Sequence, residues 1–362
     1  MDIKYQRENK DDFFSTLSQR VNNYFKTNSI SKNTNFFGVF KAIFFISLFL
    51  GAYALVIFAN GNSAQLLVSF FIIGFVQICI VLNIGHEGVH SSFSKNKIVN
   101  HLASYTFDII GSSGYLWKLR HVNSHHPFTM IPSHDVDIRQ SEMLTFVPME
   151  KPKPVYKYQH IYLPFLYLLY TLNAILKRDW EDLFSGKMGN IQSVKHPLSK
   201  YFWFVFFKLF YFSYALVLPL LFSGCSWPIV VLGFVLMHFA ASLTAAVALF
   251  PAHLYEDSIF PEHDEEGKIN ASWAEHQMRV TMDFGTRNPL VGFFFGGINF
   301  HIVHHLFPTV SHVHFPNIRN IITNTAEEFN ISYNHVPSLR SALYSHWLLV
   351  KKNGVSHLNE AI

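Results

Sequence analysis

Hydrophobic and polar positions divide the chain into long alternating blocks. Four apolar runs cover roughly residues 36–60, 64–85, 201–223 and 228–252, each almost free of formal charge. Each is near the about 20 residues needed to cross a hydrocarbon core of about 30 Å. In lipid the backbone must satisfy its own hydrogen bonds, so these runs are expected to be helices. Asn60–Ser63 and Ser223–Trp227 leave room only for tight turns, so the expectation is two helical hairpins. The remaining segments are long and polar: an arm at 1–35, then 86–200 and 253–345, with a short tail at 346–362. Four crossings put all of them on one face of the membrane. Residues 36–345 are expected to form one domain, with 86–200 and 253–345 as a helical cap. Two further apolar stretches are too short to cross: Ile161–Leu176, expected as an interfacial helix, and Leu290–Val303, expected to be buried.

Charge assigns a side. Lys and Arg number six in 1–35, thirteen in 86–200 and seven in 253–362, and the two short turns hold none. The positive-inside rule places the long segments and both termini in the cytosol. The membrane is then a bacterial inner membrane, or the endoplasmic reticulum in a eukaryote. Only 14% of residues are charged, and Phe contributes 38 of 362; both suit a surface that faces lipid rather than water. Cys79 and Cys225 are the only cysteines, which argues against a disulfide framework or a thiolate metal site. A net charge of +4, distributed for topology, gives no case for nucleic acid.

Histidine is the unusual entry in the composition, at 21 residues. Eight fall in three clusters: His86 and His90; His121, His125 and His126; His301, His304 and His305. Residues three or four apart share one face of an α-helix. His86 is thus expected to pair with His90, His121 with His125, and His301 with both His304 and His305. His126 turns away from His125 and suits a neighbouring ion. All three clusters lie on the cytosolic side. His253, at the cytosolic end of the fourth run, is level with them and is a ninth candidate. His238, deeper in the same run, reads as structural, and His276 as a weaker candidate. His134, His312 and His314 are expected beside the ligands or the substrate. His101, His160, His196, His263, His335, His346 and His357 are expected to be solvated. Imidazole suits iron, zinc, copper and nickel. Eight or nine exceed the coordination of one ion, so two are implied, and non-haem iron that activates oxygen fits best.

The motifs resemble those of membrane fatty acid desaturases, closest to the front-end, linoleoyl-CoA or delta-6-type enzymes and their bacterial relatives. Asn83-Ile-Gly-His-Glu-Gly-Val-His90 resembles the first histidine box, and Trp117-Lys-Leu-Arg-His121 through His126, with Asp135-Val-Asp-Ile138, the second. Ala252-His253-Leu-Tyr-Glu256 and Ser272-Trp-Ala-Glu-His-Gln277 recur in the family. Gly296-Gly-Ile-Asn-Phe-His-Ile-Val-His-His-Leu-Phe-Pro308 is the most specific match. The resemblance implies an all-α membrane enzyme with two iron ions held by His86, His90, His121, His125, His126, His253, His301, His304 and His305. It implies O2 as co-substrate and an acyl chain on CoA, a carrier protein or a phospholipid. Three departures stand out. Front-end members usually have Gln at the place of His301. The family often has an acidic residue at the place of Val303. The His-Pro-Gly-Gly motif of a fused cytochrome b5 is lacking, since His196-Pro197 is followed by Leu198. Electrons are therefore expected from a separate ferredoxin or cytochrome b5 with its reductase.

A saturated C–H bond is not acidic, so side-chain acid–base chemistry cannot break it and the metal centre must. Ligating imidazoles usually donate their second N–H to an acceptor. Asp135, Asp137, Glu256, Asn299 and His276 are candidates for this supporting role. Tyr115 and Trp117 are candidates to line the acyl slot, and Lys118 and Arg120 to meet an anionic headgroup. Two alternatives accompany this reading. A hydroxylase or acetylenase could use the same scaffold. His86-Glu-Gly-Val-His90 also fits a zinc-protease motif, with Glu87 as base.

Overall fold

The computed structural model describes residues 3–6, 12–138, 142–188, 191–192 and 194–355. It is mostly helical, with three two-stranded sheets: Lys4–Tyr5 with Lys268–Ile269, Lys187–Met188 with Ile191–Gln192, and Asp283–Phe284 with His335–Val336. Four helices are long and apolar enough to span a bilayer: Phe36–Ile57, Ser63–Val89, Leu198–Phe222 and Trp227–Ala252. Side-chain oxygens cap two of them at their starts. Asn35 accepts from Gly38 N at 3.2 Å and Asn62 from Gln65 N at 3.1 Å, which satisfies amides that have no partner inside the helix. The turns ending at Gly61 and Gly224 abut, with Gly61 N donating to Ser223 O at 2.9 Å.

The second and fourth spanning helices are the buried pair, and the first and third leave most of their surface outward. Without a hydrophobic drive between helices in lipid, close backbone approach holds such a pair together. A Cβ built on Gly74 would lie 2.0 Å from Met237 O, and one on Gly233 would lie 2.4 Å from the Phe70 ring. Gly74→Ala is expected to force the two helices apart and cost about 1–3 kcal/mol, the usual penalty of overpacking. Thermal unfolding in micelles checks this, and an unchanged midpoint would contradict it.

The second spanning helix does not stop at the expected boundary near 85. It widens into a π-turn over Val81–Gly85 and continues to Val89, carrying His86 with it. The turn after Pro289–Phe294 packs onto that widening. Gly296, at φ 58°, could carry no side chain, because its Cβ would meet Leu82 O at 2.4 Å. This contact sets the third histidine cluster beside the first. The Leu290–Val303 stretch is buried for most of its length, as expected, although Leu290 itself is exposed.

In the N-terminal arm, Phe13–Thr27 is a helix that buries Phe13, Leu17, Val21 and Phe25. Their four-residue spacing makes one stripe, which packs on Ile318, Ile322 and Ala326 of the helix Phe315–Glu328. The last helix, Leu339–Asn353, runs through the expected start of a tail at 346 and buries His346, Leu349 and Val350. Residues 356–362, including His357, lie outside the described residues.

Candidate metal centre

Nine buried imidazoles converge at the Val89 and Ala252 ends of the second and fourth spanning helices, none more than 7% exposed. They form two groups. In one, His125, His253, His301 and His305 turn their Nε2 atoms together. The separations are 3.1 Å for His125–His253, 2.7 Å for His253–His301, 3.1 Å for His253–His305 and 3.2 Å for His301–His305. The other holds His86, His90, His121 and His304, whose ligand atoms lie within 4.8 Å of one another. His126 joins it, its Nε2 being 3.1 Å from the Nε2 of both His121 and His304.

The second box does not divide as α-helical spacing predicts. His121 shares its group with His126, and His125 turns into the other. Residues His121–His125 form a π-turn, whose i→i+5 ladder brings the fifth residue, not the fourth, back over the first. His304 and His305 split in the same way, so adjacent residues in two boxes serve both groups.

The protons on the four-histidine group can be placed. His125 Nδ1 donates to Asp135 Oδ2 at 2.9 Å and His253 Nδ1 to Val280 O at 3.1 Å. His301 Nδ1 donates to Ile298 O at 3.2 Å and His305 Nδ1 to Gln277 Oε1 at 2.9 Å. A neutral imidazole with its proton on Nδ1 has a bare lone pair on Nε2. Four such lone pairs converging within hydrogen-bond distance repel one another unless a cation lies among them. In the five-histidine group, Nε2 of His86 and of His90 is buried without a partner among the described residues, which is costly for a polar atom unless something binds it. Both groups therefore fit a metal ion.

The electrostatics agree. Burial first, and then the mutual repulsion that crowded imidazoles would suffer if protonated, hold His121, His126, His301, His304 and His305 well below the ordinary histidine value, with His90 and His253 at about 3. These rings are neutral at pH 7, as ligands must be. Burial also pushes His125 down, but the charge and hydrogen bond of Asp135 more than reverse it and its pKa is raised. The same negative field favours a cation at its Nε2.

The other expected site residues divide. Asp135 touches the His125 imidazole, and Asp137 Oδ2 lies 3.8 Å from His121 Nδ1. Trp117 lies over His121 with ring centroids 4.3 Å apart and packs on Phe107 at 4.5 Å. Glu256 is exposed, and its backbone N donates to Ser345 Oγ at 2.9 Å, so it supports no imidazole. The Asn299 amide is fully buried with no hydrogen-bond partner among the described residues. His276 belongs to neither group and is 2.8 Å through Nε2 from Thr129 O. Tyr115 meets His196 Nδ1 through its hydroxyl at 3.0 Å, with Lys200 over its ring. Lys118 is exposed.

Arg120 is a correction. It is buried, with its guanidinium donating to Asp179 at 3.1 Å and Asp182 at 2.8 Å. It is not free to meet a headgroup. His196 and His346 are also buried rather than solvated, and His346 Nδ1 donates to Leu254 O at 2.7 Å. His238 belongs to neither group and stands between Tyr211 Oη at 2.7 Å and Thr171 Oγ1 at 2.9 Å. His312 Nδ1, His312 N and Ser311 Oγ all donate to Glu87 Oε1, at 2.7, 2.7 and 2.6 Å. Glu87 thus ties the first box to the segment after the third and is not aimed as the base of a zinc protease. Gln277 and the carbonyls of Val280 and Ile298 escaped sequence reasoning. The Ser272–Gln277 motif was visible, but nothing in it shows which side chain faces an imidazole.

Burial of His276 and His346 has a consequence for stability. It holds both at about 4, below the ordinary 6.5. The unfolded chain therefore binds protons that the folded chain excludes. Stability is full above pH 6.5 and falls as the pH drops towards 4, by about 1.4 kcal/mol per pH unit for each ring. The lowered ligand imidazoles add to the total slope in metal-stripped protein, so its pH-dependent unfolding in micelles is compared with that of His276→Ala and His346→Ala; a variant with an unchanged slope between neutral and mildly acidic pH would contradict its ring's share.

Comparison with known proteins supplies the family. A sequence model of the fatty acid desaturase family matches residues 61–337. The chain belongs to the fatty acid desaturases. The acyl-lipid (8-3)-desaturase of Physcomitrium patens is 32% identical over 98% of this chain and 74% of its own length. The sn-1 linoleoyl-lipid 6-desaturase of Arthrospira platensis is 30% identical over 97% of this chain and 95% of its own. The enzyme of that name from Synechocystis is 28% identical over 94% and 95%. As a desaturase-family member with four spanning helices and two histidine groups able to hold metal ions, the chain is an oxidoreductase of the membrane.

Proposed function

We propose that this desaturase introduces a carbon–carbon double bond into an acyl chain esterified in membrane lipid, using O2 and two iron ions. The observation that carries the reading is the convergence of nine buried imidazoles in two adjoining groups. His125, His253, His301 and His305 hold one iron; His86, His90, His121, His126 and His304 hold the other. An all-imidazole donor set suits iron, and the pair of irons supplies the oxidising power that an unactivated C–H bond requires. The chain's own residues do the rest. Asp135, Gln277 and the carbonyls of Val280 and Ile298 fix four rings in orientation, while Asp137 stands beside His121. Trp117 and Phe107 form an apolar wall against the five-histidine group, and burial of all nine rings keeps water from the reacting methylenes. In the overall balance two hydrogens leave adjacent carbons and O2 becomes two waters. Two electrons and two protons come from outside the acyl chain, the electrons from a ferredoxin or cytochrome b5 type protein.

The lipid-linked substrate is supported by the names of the similar enzymes, which act on acyl-lipids or linoleoyl-lipids. The distribution of Lys and Arg supports a cytosolic centre. Expression in a host of known lipid composition, followed by mass spectrometry of the lipid fraction, tests the reading. The expected product is a lipid acyl chain two hydrogens lighter than its precursor. A chain one oxygen heavier would replace desaturation by hydroxylation, and product confined to acyl-CoA would remove the lipid-linked substrate.

A further inference from the structure

The two histidine groups are built differently around their outer nitrogens. In the four-histidine group every Nδ1 donates to a fixed acceptor: the Asp135 carboxylate, the Gln277 amide and two backbone carbonyls. In the five-histidine group no Nδ1 has a hydrogen-bond acceptor among the described residues. His126 Nδ1 is buried without a partner among the described residues, and Asp137 Oδ2, at 3.8 Å from His121 Nδ1, is beyond hydrogen-bond distance. The acceptors of the first group are themselves held. Asp135 also accepts from Met130 N at 2.9 Å, and Gln277, fully buried, donates through Nε2 to His126 O at 3.1 Å. That second bond orients the Gln277 amide, so its Oε1 must face His305.

We propose that the two metal positions are unequal, the four-histidine position being the pre-organised and tighter one, with Gln277 as a positioning residue that sets it. An imidazole whose Nδ1–H is already donated has its tautomer and ring plane settled before metal arrives and is a stronger base at Nε2. Four rings meet that condition in one group and none in the other. A shell of such partners changes metal affinity by about 10–100-fold per partner, enough to outweigh one additional ligand in the looser group. This inference rests on the two-metal reading above.

The test uses the full chain purified with its metals and dialysed against graded chelator, with metal content rather than activity as the readout. Loss in two phases is expected, one equivalent needing about tenfold or more chelator than the other. His121→Ala should remove the looser equivalent and spare the tighter. Gln277→Leu should weaken the tighter equivalent by about 10–100-fold. Gln277→Glu, which keeps an acceptor facing His305, should restore much of it. Should Gln277→Leu fold poorly, Asp135→Asn, equal in size, should shift the same phase. Two equivalents lost together from the unaltered protein would overturn the inequality alone, as would a Gln277→Leu protein with an unshifted tighter phase. A single equivalent per folded chain would overturn both this inference and the two-metal reading.

Discussion

His304→Ala is expected to lose the metal of the five-histidine group and to form no detectable product. The His304 ring stands at the middle of that group. Its Nε2 is 3.1 Å from His126 Nε2, and its ring centroid is 4.4 Å from His86 and 4.9 Å from His90. Alanine leaves a buried gap and supplies no donor in place of the lost imidazole. The four remaining rings lack outer partners that would hold them in place. Oxidation of a saturated chain has no side-chain substitute for the metal, so activity falls to background rather than by a modest factor. His276→Ala is the matched control. That ring is equally buried but lies in neither group, so its loss should leave metal content unchanged. Lipid analysis and metal analysis on both variants check the pair; normal product from His304→Ala would refute its assignment as a ligand.

Asp179→Ala is expected to be the most destabilising single change outside the metal centre, by about 3–5 kcal/mol, the usual cost of leaving buried charge uncompensated. The Asp179 carboxylate is fully buried. One oxygen accepts from both terminal nitrogens of Arg120 at 3.1 Å, and the other accepts from Lys208 Nζ at 3.0 Å. Lys208 stands within a spanning helix and also donates to Gly111 O at 2.7 Å and Ile175 O at 3.0 Å. Removing the carboxylate leaves the Lys208 ammonium with backbone carbonyls alone and Arg120 with Asp182 as its remaining carboxylate, in a medium where an under-compensated charge is expensive. Adding Lys208→Met to Asp179→Ala should recover part of the loss, because the ammonium that lost its carboxylate is then gone. Arg120 immediately precedes His121, so the single variant should also lose metal from the five-histidine group. Unfolding in micelles measures the first effect; a change within about 0.5 kcal/mol, the ordinary range for a surface position, would show that the network carries no net stability.

The parts of this molecule legible in its sequence are those set by a single length or period. A bilayer's thickness fixes how long an apolar run must be, and the four runs emerge as helices within a few residues of where they were expected. Histidines at helical spacing beside such runs imply a common site, and the nine rings do meet. What escaped depends on local irregularity or on distant partners. The π-turn over His121–His125 leaves no mark in composition, so the pairing of His121 with His126 rather than His125 was hidden. Arg120 read as an interfacial cation because Asp179 and Asp182 lie some 60 residues away and no period connects them. His346 read as solvated because its partners are a carbonyl at Leu254 and the hydroxyl of Tyr167. Gln277 sits in a short helix that supplies no imidazole to either group, so only the assembled fold discloses that it orients one.

Mössbauer spectroscopy with metal analysis on the purified full chain tests whether two irons sit among these nine rings. The expected result is close to two irons per chain, in two nitrogen-rich environments with distinguishable signals, and loss of one signal in His304→Ala. A single zinc per chain, or iron in one environment unaffected by that substitution, would contradict it.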